Sequence, residues 1–283
     1  MNFHLHFLKM HGIGNDFIVT HEVKPEDAAT IQSLTTRLCD RRRGVGGDGV
    51  ILILPPITRE ADFRMRIFNS DGSEAEMCGN GIRCCARYVK LMKLSDKQNL
   101  AFATGAGPIS TLQNDDGLIR VTMSSPILDA PRIPTAQASG QVIMHDLQVD
   151  GKTFKITAVS MGNPHAVIHV DEITDDLVLN WGKQVETHPF FPNRTNVEFI
   201  KVISDSEIRM RVWERGCGET QACGTGACAS VVSGIVNKLH GNKVTVHLLG
   251  GDLFIEWDGS LERPVYMTGP AEVSFKGSID VAL

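Results

Sequence analysis

Residues 64–81 read RMRIFNSDGSEAEMCGNG, and residues 209–226 read RMRVWERGCGETQACGTG. Laid one above the other without gaps, they share Arg64/Arg209, Met65/Met210, Arg66/Arg211, Glu74/Glu219, Cys78/Cys223, Gly79/Gly224 and Gly81/Gly226. A fainter echo pairs GIGNDFIV from Gly12 with SMGNPHAVI from Ser160. Such self-similarity marks a chain built from two copies of one unit. Within each copy the hydrophobic period changes once. Phe63, Met65 and Ile67 alternate with Arg64 and Arg66, and Ile208, Met210 and Val212 alternate with Arg209 and Arg211, so both stretches read as half-buried strands. After each cysteine the spacing turns helical: Ile82, Cys85, Val89 and Met92 in the first copy, Cys228, Val231, Val232, Ile235, Val236 and Leu239 in the second. Each half therefore runs strand, polar turn, Cys-Gly-x-Gly, helix.

Short strands fill most of the rest, among them VILIL from Val50, KVTVHLL from Lys243 and DLFIEW from Asp252. A further helix is expected from Pro25 to about Arg42, with Pro25 in its first turn and Ile31, Leu34 and Leu38 on one face. Strand-rich halves with one or two helices each give an α+β fold class. The division between halves is expected near QNDDGLIR, Gln113 to Arg120, where turn residues cluster. The domains expected are 1–118, with a returning strand from about 265–283, and 119–264.

With 283 residues, of which 42% are hydrophobic, each half can bury a core of its own. A net charge of −5 leaves no footprint for nucleic acid, and the one basic run, Arg41-Arg42-Arg43, reads as a solvated helix end. The start, MNFHLHFLKM, lacks the pattern of a signal peptide, and no apolar stretch approaches the ~20 residues of a membrane helix. A soluble cytoplasmic protein without a membrane partner is the expectation. Seven cysteines, an odd number, argue against a disulfide framework. The spacings Cys217-x5-Cys223-x4-Cys228 and Cys78-x5-Cys84-Cys85 do not suit zinc, so no metal is expected. Cys39, Cys84, Cys85 and Cys228 fit best as small buried hydrophobes.

A helix start leaves backbone N–H groups unpaired and carries partial positive charge. A cysteine there is expected to have its pKa lowered, from about 8.5 to somewhere in the range of roughly 3.5 to 7.5. The adjoining glycines let successive N–H groups converge on an anion. Two such cysteines can serve one carbon from opposite faces, a thiolate removing a proton and a thiol returning one. The helix starts would hold an α-carboxylate and stabilise the charge gathered during deprotonation. That is the chemistry of a racemase or epimerase. The rival motifs are weaker. Gly44-x-Gly46-x-x-Gly49 matches a dinucleotide fingerprint but follows a basic segment and precedes a strand, the reverse of the required context. A cysteine hydrolase using His165 leaves the second cysteine unexplained.

At KMHGIGNDFIV, FNSDGSEAEMCGNGIRC, AVSMGNPHAV, NRTNVEFI, WERGCGETQACGTGACA and YMTGPAEVSF, in that order, the chain resembles the diaminopimelate epimerase family. The resemblance implies two pseudo-symmetric repeats, each a curled, mainly antiparallel sheet around a central helix, with the active site in the cleft between them. It implies epimerisation of LL-2,6-diaminopimelate to the meso isomer for lysine and peptidoglycan precursor synthesis, without pyridoxal phosphate or other cofactor. Cys78 and Cys223 would be the acid/base pair. Asn15, Asn69, Asn163, Asn196, Glu214 and Arg215, with Gly79, Asn80, Gly224 and Thr225 at the helix starts, would contact the substrate. His165 and Glu214 would sit beside the reacting centre as supporting acid/base groups. Gly49 stands where some members carry Gln, so any contact there would come from backbone. A homodimer is the expected assembly. The alternatives are a racemase of another amino acid, as in the related proline racemases, and a non-catalytic amino-acid-binding protein of the same fold. The sequence does not tell the two cysteines apart.

Overall fold

The computed structural model describes residues 2–282. The chain divides into two units, Met1–Val121 with Gly269–Leu283, and Thr122–Thr268.

The first unit contains β1 (Asn2–Gly12), β2 (Asn15–Thr20), β3 (Gly49–Leu54), β4 (Phe63–Asn69), β5 (Glu74–Ala75), β6 (Asn99–Thr104), β7 (Gly107–Gln113) and β8 (Ile119–Thr122). The C-terminal strand Glu272–Ala282 returns to pair with β1. Most neighbours are antiparallel, but β2 runs parallel to β3 and β4 parallel to β6, so the sheet is mixed. Parallel neighbours need a crossover. Helix α1 (Ala28–Cys39) makes the first and α2 (Gly79–Leu91) the second.

β3 is buried along its whole length because both of its faces are covered, which is why VILIL shows no alternation. Val50, Leu52 and Leu54 pack with Ile31, Leu34 and Leu38 of α1, while Ile51 reaches α2 at Gly81. Helix α2 touches β1, β2, β3, β4 and β7, so the sheet curls around it.

The second unit repeats this plan with β9 (His145–Val149), β10 (Lys152–Ser160), β11 (Pro164–His169), β12 (Asn196–Ser204), β13 (Glu207–Glu214), β14 (Gly218–Glu219), β15 (Lys243–Leu248), β16 (Gly251–Glu256) and β17 (Tyr266–Gly269). Its parallel pairs are β11/β12 and β13/β15. A helical segment, Asp176–Trp181, leads into α3 (Gly182–Glu186) across the first, and α4 (Gly224–Val236) crosses the second. Helix α4 touches β10, β11, β12, β13 and β16.

The repeat is also visible in side chains. Arg66 forms a two-point ion pair with Glu74, both bonds 2.7 Å, and Arg211 forms the same pair with Glu219 at 2.7 and 3.1 Å. Both central helices have 13 residues and stop before a lysine at positive φ, Lys93 (54°) and Lys238 (58°). Leu94 N–H and Leu239 N–H then close back onto Val89 and Gly234.

Two expectations, on helices, need adjusting. The helix read from Pro25 to about Arg42 is a 3₁₀ turn, Pro25–Asp27, followed by α1, which ends at Cys39 because Asp40 is extended at ψ 117°. Leu239 leaves the apolar stripe of α4 and is exposed, since the chain has already reversed at Lys238. The turn residues at 114–118 close the β7/β8 hairpin inside the first unit, and the division falls after Val121.

Candidate active site

In the first unit Cys78 is the N-cap of α2, extended at φ −140° and ψ 121°, and its Sγ accepts the N–H of Gly81 at 3.5 Å. The thiol faces Asn15 Oδ1 at 3.6 Å, and Asn80 Nδ2 donates to the same oxygen at 3.2 Å. Asn15 Nδ2 donates to Asp48 Oδ2 at 2.7 Å, which also accepts the N–H of Asp16. Asp48 and Asp16 share the Arg41 guanidinium, and Lys9 joins them through Asp16. Burial alone would push the Asp16 carboxyl up, but Arg41 and Lys9 pull it down to about 2. Behind the helix start lies Arg83, fully buried, donating to Gly79 O, Asn80 Oδ1 and Pro270 O. Asn15, Cys78, Gly79 and Asn80 thus form one connected group. The hydrogen bonds of Asn69 run within its own turn instead, to Ser73. Gly49 pairs with Asn69 so tightly that a Cβ there would lie 2.5 Å from the Phe68 carbonyl.

In the second unit Cys223 is the N-cap of α4 at φ −124° and ψ 107°, accepting the N–H of Gly226 at 3.3 Å. Thr225 Oγ1 lies 3.6 Å from Sγ. Glu214 hydrogen-bonds the same thiol, and Thr220 donates its hydroxyl to Glu214. His165 Nδ1 lies 2.7 Å from Glu198 Oε1 and Nε2 lies 2.9 Å from Asn163 Oδ1. Neither His165 nor Glu198 is exposed at all. Asn196 is spent on backbone, donating to Pro164 O and accepting the N–H of Arg215. It thereby fixes the turn that carries Arg215, whose side chain is exposed and reaches Asn193 O at 3.5 Å.

The expectation of a lowered cysteine pKa fails at Cys223. Burial, then Glu214 and Glu198, push this thiol well above its ordinary value, outweighing the helix start. Glu214 itself is raised by burial and by Glu198, against the pull of Thr220 and His165.

Glu198, Asp48 and Arg83 were not singled out in the sequence. The signal for Glu198 was available: a charged residue in the middle of the apolar strand NVEFI must either lie at an edge or be held for a purpose.

Two repeat-related units, each ending a polar turn in a cysteine that caps a central helix, define a racemase-type α+β fold. A hydroxyproline epimerase from Agrobacterium vitis, solved with trans-4-hydroxy-L-proline bound, superposes with a TM-score of 0.71 at 15% identity, over 98% of this chain and 91% of that one. The family model for diaminopimelate epimerase matches residues 7–128 and 157–274. The diaminopimelate epimerase of Moorella thermoacetica is 49% identical over 277 residues, covering 96% of this chain and 98% of that protein. That of Pelotomaculum thermopropionicum is 50% identical over 281 residues, with 96% and 98% covered. The chain belongs to the diaminopimelate epimerase family.

Proposed function

We propose that this protein epimerises LL-2,6-diaminopimelate to meso-diaminopimelate without a cofactor, through Cys78 and Cys223, as an isomerase of lysine and peptidoglycan precursor synthesis. The observation that carries the reading is the repeated cysteine cap: each unit sets one thiol at the start of a buried helix, its sulfur accepting a first-turn N–H.

One sulfur, as thiolate, takes the α-proton, and the electron pair left on carbon spreads into the α-carboxylate. The other sulfur, as thiol, gives its proton to the opposite face. Configuration inverts, and the enzyme is left with the two protonation states exchanged. The reaction requires both thiols to reach one carbon from opposite sides. First-turn N–H groups at Gly79, Asn80, Gly224 and Thr225 stabilise the extra carboxylate charge. Asn15 and Asn163 orient the substrate's polar groups, with Asn69 and Arg215 serving the distal end, where diaminopimelate carries its second ammonium and carboxylate, and Asn196 holding the turn that presents Arg215. His165 and Glu214 support proton movement at the reacting centre. We further infer a cytoplasmic homodimer; no helix among the described residues is long and apolar enough to cross a membrane.

The test is incubation of the purified protein with LL-diaminopimelate and no added cofactor, followed by separation of stereoisomers. Formation of the meso isomer supports the reading. Inversion of proline but not diaminopimelate would favour the racemase alternative, and no inversion of any amino acid would favour a binding protein.

A further inference from the structure

The two cysteine caps are equivalent in backbone but not in what lies beneath them. The strand registers map one unit onto the other: Phe17 pairs with Gly49 as His165 pairs with Asn196, and Val19 pairs with Ile51 as Val167 pairs with Glu198. Glu198 therefore holds in β12 the place that Ile51 holds in β3, and His165 holds the place of Phe17. The helix starts agree. A Cβ on Gly81 would meet the Ile51 side chain at 3.0 Å, whereas a Cβ on Gly226 would meet Glu198 Oε1 at 2.7 Å. Asn69, at the end of β4, is matched by Glu214 at the end of β13.

The start of α2 thus lies against Ile51 and Ile67, and the start of α4 against Glu198, which holds His165, with Glu214 also facing the Cys223 thiol. We propose that Glu198 is a positioning residue that breaks the equivalence of the half-sites, holding Cys223 in the thiol form so that Cys78 is the resting base. This rests on the two-cysteine reading above.

Glu198 acts in two ways. Its Oε1 fixes the Nδ1–H of His165, which sets the face that the ring presents through Nε2 to Asn163. Its Oε2 is buried and accepts no hydrogen bond, so one oxygen of the carboxyl group is left without a partner at the foot of α4. A second negative sulfur beside it is disfavoured in so dry a place. Cys223 is faced by Glu214 from β13 and Glu198 from β12, with His165 of β11 behind Glu198. His169 of β11 bonds Ser233 farther along α4, and His240 lies beyond the helix end. In the forward step the α-proton passes to Cys78 Sγ and the Cys223 proton passes to carbon. Cys78 ends as thiol and Cys223 as thiolate, until proton exchange restores the resting state.

The test is the pH dependence of iodoacetamide labelling, resolved by peptide mapping at Cys78 and Cys223 separately. In the wild type, Cys223 should label with the higher midpoint; a midpoint at or below that of Cys78 overturns the proposal. In Glu198→Gln, labelling of Cys223 at neutral pH should rise by about tenfold or more, one pKa unit's worth, with Cys78 unchanged. Glu198→Asp keeps the charge and should stay near the wild type. An unmoved Cys223 midpoint in folded Glu198→Gln overturns the assignment. Labelling needs no turnover, so failure to epimerise diaminopimelate would count against the proposed function and leave this result standing.

Discussion

The carboxamide of Asn15 is gripped from both ends: Nδ2 donates to Asp48 Oδ2 at 2.7 Å, which turns Oδ1 toward the Cys78 thiol 3.6 Å away. Asp48 is thus two hydrogen bonds removed from the Cys78 sulfur and decides which atom of Asn15 meets it. Asp48→Ala frees the amide to rotate and should lower kcat by up to about a hundredfold, the cost of a misplaced group. Circular dichroism should show a folded protein. Undiminished kcat would show that Asn15 holds its orientation without Asp48.

The two helix-start glycines should respond differently to the same methyl. In Gly226→Ala the Cβ falls 2.7 Å from Glu198 Oε1 and 3.2 Å from Cys223 Sγ, both held in place. In Gly81→Ala it meets the terminal methyl of Ile51 at 3.0 Å, which can shift. Overpacking costs about 1–3 kcal/mol, and Gly226→Ala should lie at the upper end and Gly81→Ala at the lower, as read by denaturant unfolding. The reverse order would contradict the packing described.

Asp16 supplies a pH-dependent part of the first unit's stability. Its folded-state pKa of about 2 lies below the ordinary 3.8, so the stabilisation is present in full above the unfolded value and is lost as pH falls through the folded one. The shift corresponds to about 2 kcal/mol at neutral pH. Asp16→Asn should therefore be less stable than wild type by about that amount at pH 7. The gap should narrow below pH ~4 and close toward pH ~2. A gap constant across this range would remove the Lys9–Asp16–Arg41 cluster as its source.

Arg215 provides a test of substrate choice. Its planar fork can meet a carboxylate with two parallel bonds, which lysine cannot. Arg215→Lys should lower kcat/KM for diaminopimelate at least tenfold by analogy with sites built to pair a polar group, with Cys223 labelling unchanged. Equal kinetics would take Arg215 out of the distal site.

Much of this was legible in the chain itself. Cys78 and Cys223 were readable as helix caps because the hydrophobic period changes immediately after each, and the structure starts α2 and α4 at the following glycines. The Asn15/Asn163 echo likewise falls on matching positions, Asn15 opening β2 and Asn163 immediately preceding β11, two residues before Phe17 and His165, which open the matching parallel ladders. What stayed hidden depends on contacts between distant segments. GVGGDG offers the sequence only an out-of-context dinucleotide fingerprint, and nothing local says that Asp48 reaches back to Asn15 and Asp16. A lowered cysteine pKa follows from the helix start alone, and at Cys223 it is reversed by burial and then by the carboxylates of Glu214 and Glu198 on β13 and β12. The end of α1 was misjudged because Arg41 continues a plausible helical face, while in the fold it turns to pair with Asp16 and Asp48.

The central claim is that two different sulfurs handle the proton on the two faces of one carbon. The most direct measurement is the first few per cent of reaction of LL-diaminopimelate in deuterium oxide, with substrate and product isomers separated and the hydrogen isotope at the α-carbon read in each. With two bases, the proton leaves on one thiol and a deuteron arrives from the other, so the meso product should carry deuterium at the inverted centre while recovered substrate remains protiated. Product that retains the original proton would mean that a single group removes and returns it, and would contradict the account.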